Sequence, residues 1–579
     1  VKKGEYDILS CYIYIIQDIM QKVWSVKKYD KEKINELVMK YNISEMLAKL
    51  ILAREIEDVD MFLNGTLEDL KDPYKMKDME KFVERINKAK ENSEKICIYG
   101  DYDVDGITSI TVMYKFLKKL GLNVIYYLPD RLMEGYGVNT GALDKIKNEG
   151  VKLVITVDCG ITAVEEVNYA KSIGLDMCIT DHHECADKLP EAVCIVNPKQ
   201  KDDETFSMLA GVGVAFKCIT ALAQKYNMPK DSYLKYLDIV AVGTISDIVP
   251  LVDENRIISK YGLEMMKETK NLGLKSLLNI INFKSIDSTM VSFGMAPRIN
   301  ACGRMGNAGV AVELLLEKDK SVADSLATKL NNQNTKRQQV EKKIFDAAEK
   351  MIQKNHLDLK NSIVLYNENW HNGVIGIVAS RLVSIYYKPV ILLTKENGVV
   401  RGSGRCPTGF SLYDTLTKCK ESLIQFGGHE LAAGLSIDES KIEEFTDLFE
   451  KVVTASMTGE VKQIISVDER IDYRDLNVNL LKDINILKPY GQANREPLFM
   501  YKGLKVQSIR TIKEEKHLKL TLRDDKYQIE ALAFSQGNRR DELRLGDKVD
   551  VLCSVDINTY TTPRTIQLIL QDFKKSVNG

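Results

Sequence analysis

The chain has 579 residues, a length that predicts three or four domains, and its 44% hydrophobic content is enough to fill a core in each. With 81 basic against 82 acidic residues the net charge is -1, which excludes a globally basic nucleic-acid binder and leaves only local patches for a polyanion. The eleven cysteines form no C-x-x-C pair, and no apolar run reaches the roughly 18 to 20 residues of a bilayer span, so the composition points to a soluble, cytoplasmic protein with reduced thiols and no membrane partner.

Residues 1–19 lack a basic n-region and a small-residue cleavage site, so they read as a non-native or disordered extension ahead of Met20 rather than a signal peptide. Residues 20–92 form a helical preface: Ile34, Leu37, Val38 and Tyr41 share one face, and Phe82, Ile86 and Ala89 repeat the spacing. In residues 93–255 short apolar runs at 96–99, 124–128, 153–157, 177–180 and 194–196 alternate with amphipathic segments such as 108–120 and 163–173. That alternation predicts a doubly wound parallel α/β sheet, which binds ligands beyond the carboxyl ends of its strands.

The residues just past these runs are polar and of metal-ligand type. Gly-Asp-Tyr-Asp-Val-Asp-Gly occupies 100–106, placing Asp101, Asp103 and Asp105 at the end of the first strand, with a helix expected from about Ile107. Three carboxylates at alternate positions repel one another unless a cation lies among them. Asp158 comes after the third run, Asp181-His182-His183 after the fourth, and Asp247 after the apolar run 239–242, read as a further strand end. Taken singly, each aspartate also reads as a helix N-cap and each histidine as a hydrogen-bonded packing residue. Taken together, four placements on one edge predict a metal site. Oxygen donors with imidazole suit Mn²⁺ or Mg²⁺ better than zinc, and so many carboxylates suggest two ions. Two glycines in Leu209-Ala210-Gly211-Val212-Gly213-Val214-Ala215-Phe216 precede an apolar helix and read as close helix packing, not as a dinucleotide fingerprint.

Residues 256–355 read as a helical connector with a long helix over 321–353, and 356–458 as a second α/β domain. The latter carries three glycine-rich polar stretches, 370–373, 401–405 and 427–434, which read as loops able to bring amides and arginines to a phosphate. In residues 459–579, runs at 504–512, 517–523, 528–534, 548–555 and 565–570 predict a small antiparallel barrel of the OB type. Phe499, Tyr501, Tyr527, Phe534 and Tyr560, with Arg510, Arg523 and Arg564 nearby, include candidates for base stacking, though most such aromatics belong in the core.

The motifs Asp-Tyr-Asp-Val-Asp-Gly, Val-Asp-Cys-Gly, Asp-His-His and Ser-Asp-Ile-Val-Pro resemble those of the DHH phosphoesterase superfamily and, within it, the RecJ family of single-strand-specific exonucleases, from about Met20 onward. The resemblance implies a DHH lobe and a DHHA1 lobe joined by the long helix, with a terminal OB-fold. It implies two divalent cations, one held by Asp103 and Asp158 and supported by Asp101, the other by Asp105, Asp158, His182 and Asp247, with Asp158 bridging and His183 beside the scissile phosphate. It further implies phosphate contact by Arg131, substrate contact by Arg298, Asn300 and Arg304 in the segment 295–309, an anchor for a 5′-phosphate at Ser403 and Arg405, and a cleft lined by His371, Arg401 and His429. One turn departs from the family: where Gly-x-Gly-Asn is frequent, this chain has Gly491-Gln492-Ala493-Asn494. The activity implied is 5′-to-3′ hydrolysis of single-stranded DNA to 5′-mononucleotides in recombination and repair, with single-strand-binding protein and a helicase as expected partners; for the oligomeric state a monomer is the default expectation. Two other readings stand beside it. A phosphodiesterase resembling nanoRNases would act on very short oligonucleotides, but the preface and barrel argue against it; a non-catalytic replication scaffold is at odds with the intact acidic residues.

Overall fold

The computed structural model describes residues 22–129, 134, 137–306, 308–396, 398–456, 463–559 and 561–576, so the extension 1–19, Arg131 and Tyr560 lie outside the described residues. The chain divides into two units, one made of residues 26–333 with 467–579, the other of 334–466 with the residues before 26.

A strand that is apolar on both faces needs cover on both sides. Strands β1 (Lys95–Gly100), β2 (Asn123–Tyr127), β3 (Val151–Val157), β4 (Asp176–Thr180) and β5 (Cys194–Val196) meet that need as a five-stranded, wholly parallel sheet in the order β2-β1-β3-β4-β5. Phe82, Ile86, Phe116 and Leu222 cover one face, while Leu143, Ile146 and Val167 pack on the other with Val154 and Ile179 of the sheet. Because β1 lies between β2 and β3, the strand order reverses there, and the crevice at that reversal is where such sheets bind ligands.

Helix α1 (Val104–Lys119) begins earlier than the expected Ile107, because Asp103 caps it by accepting the Gly106 amide at 3.0 Å. Asp105 therefore lies in the first helical turn rather than in an extended run. Helix α2 (Gly211–Lys225) contains both glycines of its motif. Residues 239–242 are not a strand: they belong to helix α3 (Leu237–Ser246), and Asp247 is its C-cap. Nine consecutive buried residues in α3, Asp238 and Thr244 among them, leave no exposed face to reveal a helical period. The segment from 295 is likewise helical as far as Arg304, a π-turn at Val291–Met295 leading into α4 (Ala296–Arg304). The preface is helical from Lys31 onward but opens with a strand, Val23–Val26, paired with Ile464–Val467. Helix α5 (Lys320–Lys354), 35 residues long, carries the chain from one unit into the other.

The second unit holds a mixed sheet of β6 (Ile363–Tyr366), β7 (Val390–Glu396), β8 (Val399–Arg405), β9 (Gln425–Gly428) and β10 (Ala432–Ile437), ordered β9-β10-β8-β7-β6, with helix α6 (Asn372–Tyr386) after β6. The stretches 401–405 and 427–434 are thus mainly strands, not loops. In β8 glycine serves because neighbours occupy the space of a side chain: a Cβ at Gly402 would stand 2.5 Å from Leu393 Cδ2, and one at Gly404 2.8 Å from Leu412 Cδ2.

Beyond residue 467 the chain rejoins the first unit. Strands β11 (Phe499–Ile512), β12 (His517–Arg523), β13 (Gln528–Ala533), β14 (Lys548–Asn558) and β15 (Thr565–Lys575) run β11-β12-β13-β15-β14, and pairing of β11 with β14 closes the barrel. Phe499 and Tyr501 are buried in it; Tyr527 and Phe534 are exposed. The barrel shares one core with the preface, in which Leu47, Leu50, Ile51 and Phe62 pack with Ile484, Leu504 and Leu520. Among the described residues no helix is long and apolar enough to cross a membrane.

Candidate metal centre

The carboxyl ends of β1, β3 and β4 and the end of α3 bring their acidic residues to one place. Oxygen and nitrogen atoms of Asp101, Asp103 and Asp158 lie within 4.8 Å of one another, as do those of Asp105, His182 and Asp247 and those of Asp158, His182 and His183. His182 Nε2 is 3.1 Å from Asp158 Oδ1, 3.6 Å from Asp247 Oδ2 and 3.8 Å from Asp105 Oδ2. Asp158 reaches this position from φ 60°, a left-handed conformation that aspartate tolerates better than most residues.

The electrostatics call for a cation. Burial, followed by the charges of Asp105, Asp103, Asp101 and Asp247, pushes Asp158 well above the usual carboxylate range. Burial and the charge of Asp247 raise Asp105 to about 8, and burial and Asp103 raise Asp247 to about 7. Burial lowers His182, favouring the neutral imidazole that ligates metals. Asp158 Oδ1 and His182 Nε2 are buried with no hydrogen-bond partner among the described residues. Orphaned donors of this kind amid crowded carboxylates fit a hard divalent cation.

Asp181, absent from the candidate ligands, organises the histidines. Its Oδ1 accepts the His182 amide at 2.7 Å, the His183 amide at 3.2 Å and His183 Nδ1 at 2.7 Å, while Oδ2 accepts the Ile161 amide at 2.9 Å. Burial opposes charge on His183, but the hydrogen bond and charge of Asp181 outweigh it and raise the imidazole to about 9. A second group invisible to residue-type reasoning lies in α2. The amides of Gly211 and Val212 donate to Asp105 Oδ2 and Oδ1 at 2.6 and 2.7 Å.

The remaining candidates fall in two groups, one in each unit. Arg298 donates to Asn331 Oδ1 at 3.0 Å and to the Gly294 carbonyl at 2.7 Å, so it ties α4 to α5 and closes the π-turn. Asn300 is half-buried in the same helix. The helix end bearing Arg304 abuts the first acidic motif, since a Cβ at Gly303 would stand 2.7 Å from the Tyr102 carbonyl oxygen. In the other unit Arg401, Ser403 and Arg405 alternate along one face of β8. Arg401 Nε lies 3.6 Å from Glu396 Oε2, and Arg405 Nη1 donates to Ser403 Oγ at 3.0 Å. A Cβ at Gly376 of α6 would meet Ser403 Oγ and Arg405 Nη2 at 2.9 and 3.1 Å, so both side chains face the start of that helix, which His371 caps by accepting the Gly373 amide at 3.1 Å. His429 lies in the turn between β9 and β10, exposed.

Three family models match the chain: the DHH family N-terminal domain over residues 95–244, the DHHA1 domain over 359–455 and the RecJ OB domain over 467–572. The single-stranded-DNA-specific exonuclease RecJ of Bacillus subtilis is 37% identical over 559 residues, spanning 95% of this chain and 70% of that protein. Its namesake in Salmonella typhimurium is 33% identical over 85% of this chain and 89% of its own. A crystal structure of RecJ from Thermus thermophilus in complex with Mn²⁺ superposes with a TM-score of 0.84 at 27% identity, covering 96% of this chain and 80% of that one. The sheet, the acidic crevice at its strand reversal and these matches together place the chain in the RecJ family of the DHH/DHHA1 phosphoesterase superfamily.

Proposed function

We propose that this chain is a divalent-cation-dependent exonuclease that hydrolyses single-stranded DNA from its 5′ end, releasing 5′-mononucleotides. The observation that carries the reading is the meeting of Asp101, Asp103, Asp105, Asp158, His182, His183 and Asp247 at the strand reversal of a RecJ-family sheet. Asp103 and Asp158, with Asp101 in support, would hold one cation, and Asp105, Asp158, His182 and Asp247 the other, a division that the atom groupings support. Mn²⁺ or Mg²⁺ suits these donors. When bound, such cations polarise a phosphodiester and make an attacking water acidic.

The chain's own groups do the rest. Asp181 fixes the His183 ring through Nδ1 and favours its cationic form, in which Nε2–H can donate to a non-bridging phosphate oxygen or to the leaving oxygen. Arg131, Arg298, Asn300 and Arg304 are proposed contacts for the substrate backbone. Ser403 and Arg405, with Arg401, His371 and His429, are proposed to anchor the 5′-phosphate, and the paired Ser403 and Arg405 side chains at the start of α6 support that role.

The test tracks 3′-labelled single-stranded DNA with Mn²⁺ or Mg²⁺, beside blunt duplex, RNA and a dinucleotide. Progressive shortening from the 5′ end of the single strand alone is expected. Cleavage confined to the dinucleotide would assign a small-substrate phosphodiesterase instead, and binding without cation-dependent cleavage would assign a scaffold.

A further inference from the structure

Both carboxylate oxygens of Asp105 accept a backbone N–H, from Gly211 to Oδ2 and from Val212 to Oδ1. Gly211 and Val212 are the first two residues of the 15-residue helix α2, whose leading amides have no intrahelical acceptor. Asp105 thus completes the helix, and the helix fixes the plane of the carboxylate, leaving each oxygen a second lone pair for a ligand. The same glycine also borders Asp158. A Cβ at position 211 would stand 2.5 Å from Asp158 Oδ1, 2.7 Å from its Cβ and 2.8 Å from its Cγ. That Oδ1 is the buried oxygen without a hydrogen-bond partner, 3.1 Å from His182 Nε2. Gly213, two residues on, has no such role, since the atoms nearest a Cβ there belong to the Leu209 side chain, at 3.3 Å or more, and not to an acidic residue of the crevice.

We propose that Gly211 and Val212 form an amide clamp that presets the ligand geometry of Asp105, and that the missing side chain at 211 gives Asp158 its seat, making Gly211 a positioning residue for cation affinity. The inference rests on the metal-centre reading of the same crevice, deepening it from ligands to the backbone that orients them. Groups that orient metal ligands typically contribute roughly 10- to 100-fold in affinity.

Mn²⁺ titration by calorimetry tests the clamp without recourse to turnover. Wild-type protein is expected to bind, Gly213→Ala to bind within about twofold of it, and Gly211→Ala to bind roughly 10- to 100-fold more weakly with an unchanged far-ultraviolet spectrum. Equal affinities for wild type and Gly211→Ala would overturn Gly211 as the seat of Asp158, whereas failure of wild type to bind would overturn the metal-centre reading. Should Gly211→Ala not fold, melting of the metal-free Asp105→Asn and Asp247→Asn variants decides. An amide at 105 turns an NH₂ against one of the two helix donors, so Asp105→Asn is expected to melt lower than Asp247→Asn. Equal melting temperatures would overturn the clamp.

Discussion

Asp158 is the residue on which the crevice converges, within reach of the Asp101 and Asp103 group on one side and of both histidines on the other. Its loss is expected to abolish turnover while leaving the fold intact, because removing a carboxylate from a crowded acidic cluster relieves repulsion; nuclease assay and thermal melting of Asp158→Ala check both halves. Ala493 gives a prediction of the opposite sign. It sits at φ 60°, where a Cβ is strained and glycine is not, in the turn where the family often carries glycine. Ala493→Gly is expected to raise stability by about 0.5 to 1 kcal/mol in urea unfolding. The side-chain part of the crevice was legible in the sequence because each aspartate or histidine comes just past an apolar run. The amides of Gly211 and Val212 were not, since a backbone N–H is common to nearly every residue and its acceptor lies 106 positions earlier. Asp181 was in plain view within Asp-His-His, yet its part as hub of four hydrogen bonds needed coordinates.

Among the elements, the five parallel strands were legible to within a residue or two, because apolar runs bounded by glycine or aspartate are a strong local signal. The elements that depart from expectation share a physical cause. Helix α3 is buried all round and shows no period, and β8 to β10 are rich in glycine, which disfavours strands, although in β8 neighbouring leucines claim the side-chain space at Gly402 and Gly404. Elements are also tied together by buried cations that no pattern announces. Arg256, 3% exposed, stacks its guanidinium 3.8 Å above the Phe62 ring and donates to the carbonyls of Phe62, Ile486 and Leu487. Arg256→Met would remove three hydrogen bonds and the stacked cation, with the Leu487 carbonyl keeping only its bond from Asn494 Nδ2, and is expected to cost about 2 kcal/mol, measured as a lower urea midpoint. The Gly491-to-Asn494 turn makes a comparable link, since the Gln492 carbonyl accepts the Leu251 amide at 2.9 Å, a short way past Asp247.

At the scale of the whole molecule, the order of domains was legible, but the discontinuity of the larger unit was not: contacts between the first hundred residues and the last hundred leave no local trace. The preface lays Leu47, Leu50, Ile51 and Phe62 into the same core as the barrel. A chain ended at residue 455 is therefore expected to expose that apolar face and to bind the dye ANS or aggregate, which size-exclusion chromatography would detect. Cation removal should act globally as well. Mn²⁺ at 100 times its dissociation constant is expected to add about 2.7 kcal/mol of stability, lost on chelation and visible as a lower melting temperature. The split unit also has a consequence for how the protein is made. Tyr29 donates its hydroxyl to the Asp468 carbonyl across 439 positions, so at a synthesis rate of ~5 to 20 residues per second the preface waits roughly 20 to 90 s on the ribosome for its partner. For that interval Leu47 and Leu50 lack the barrel residues they pack with in the folded chain, so the nascent preface is expected to stay exposed to added protease until translation delivers the barrel.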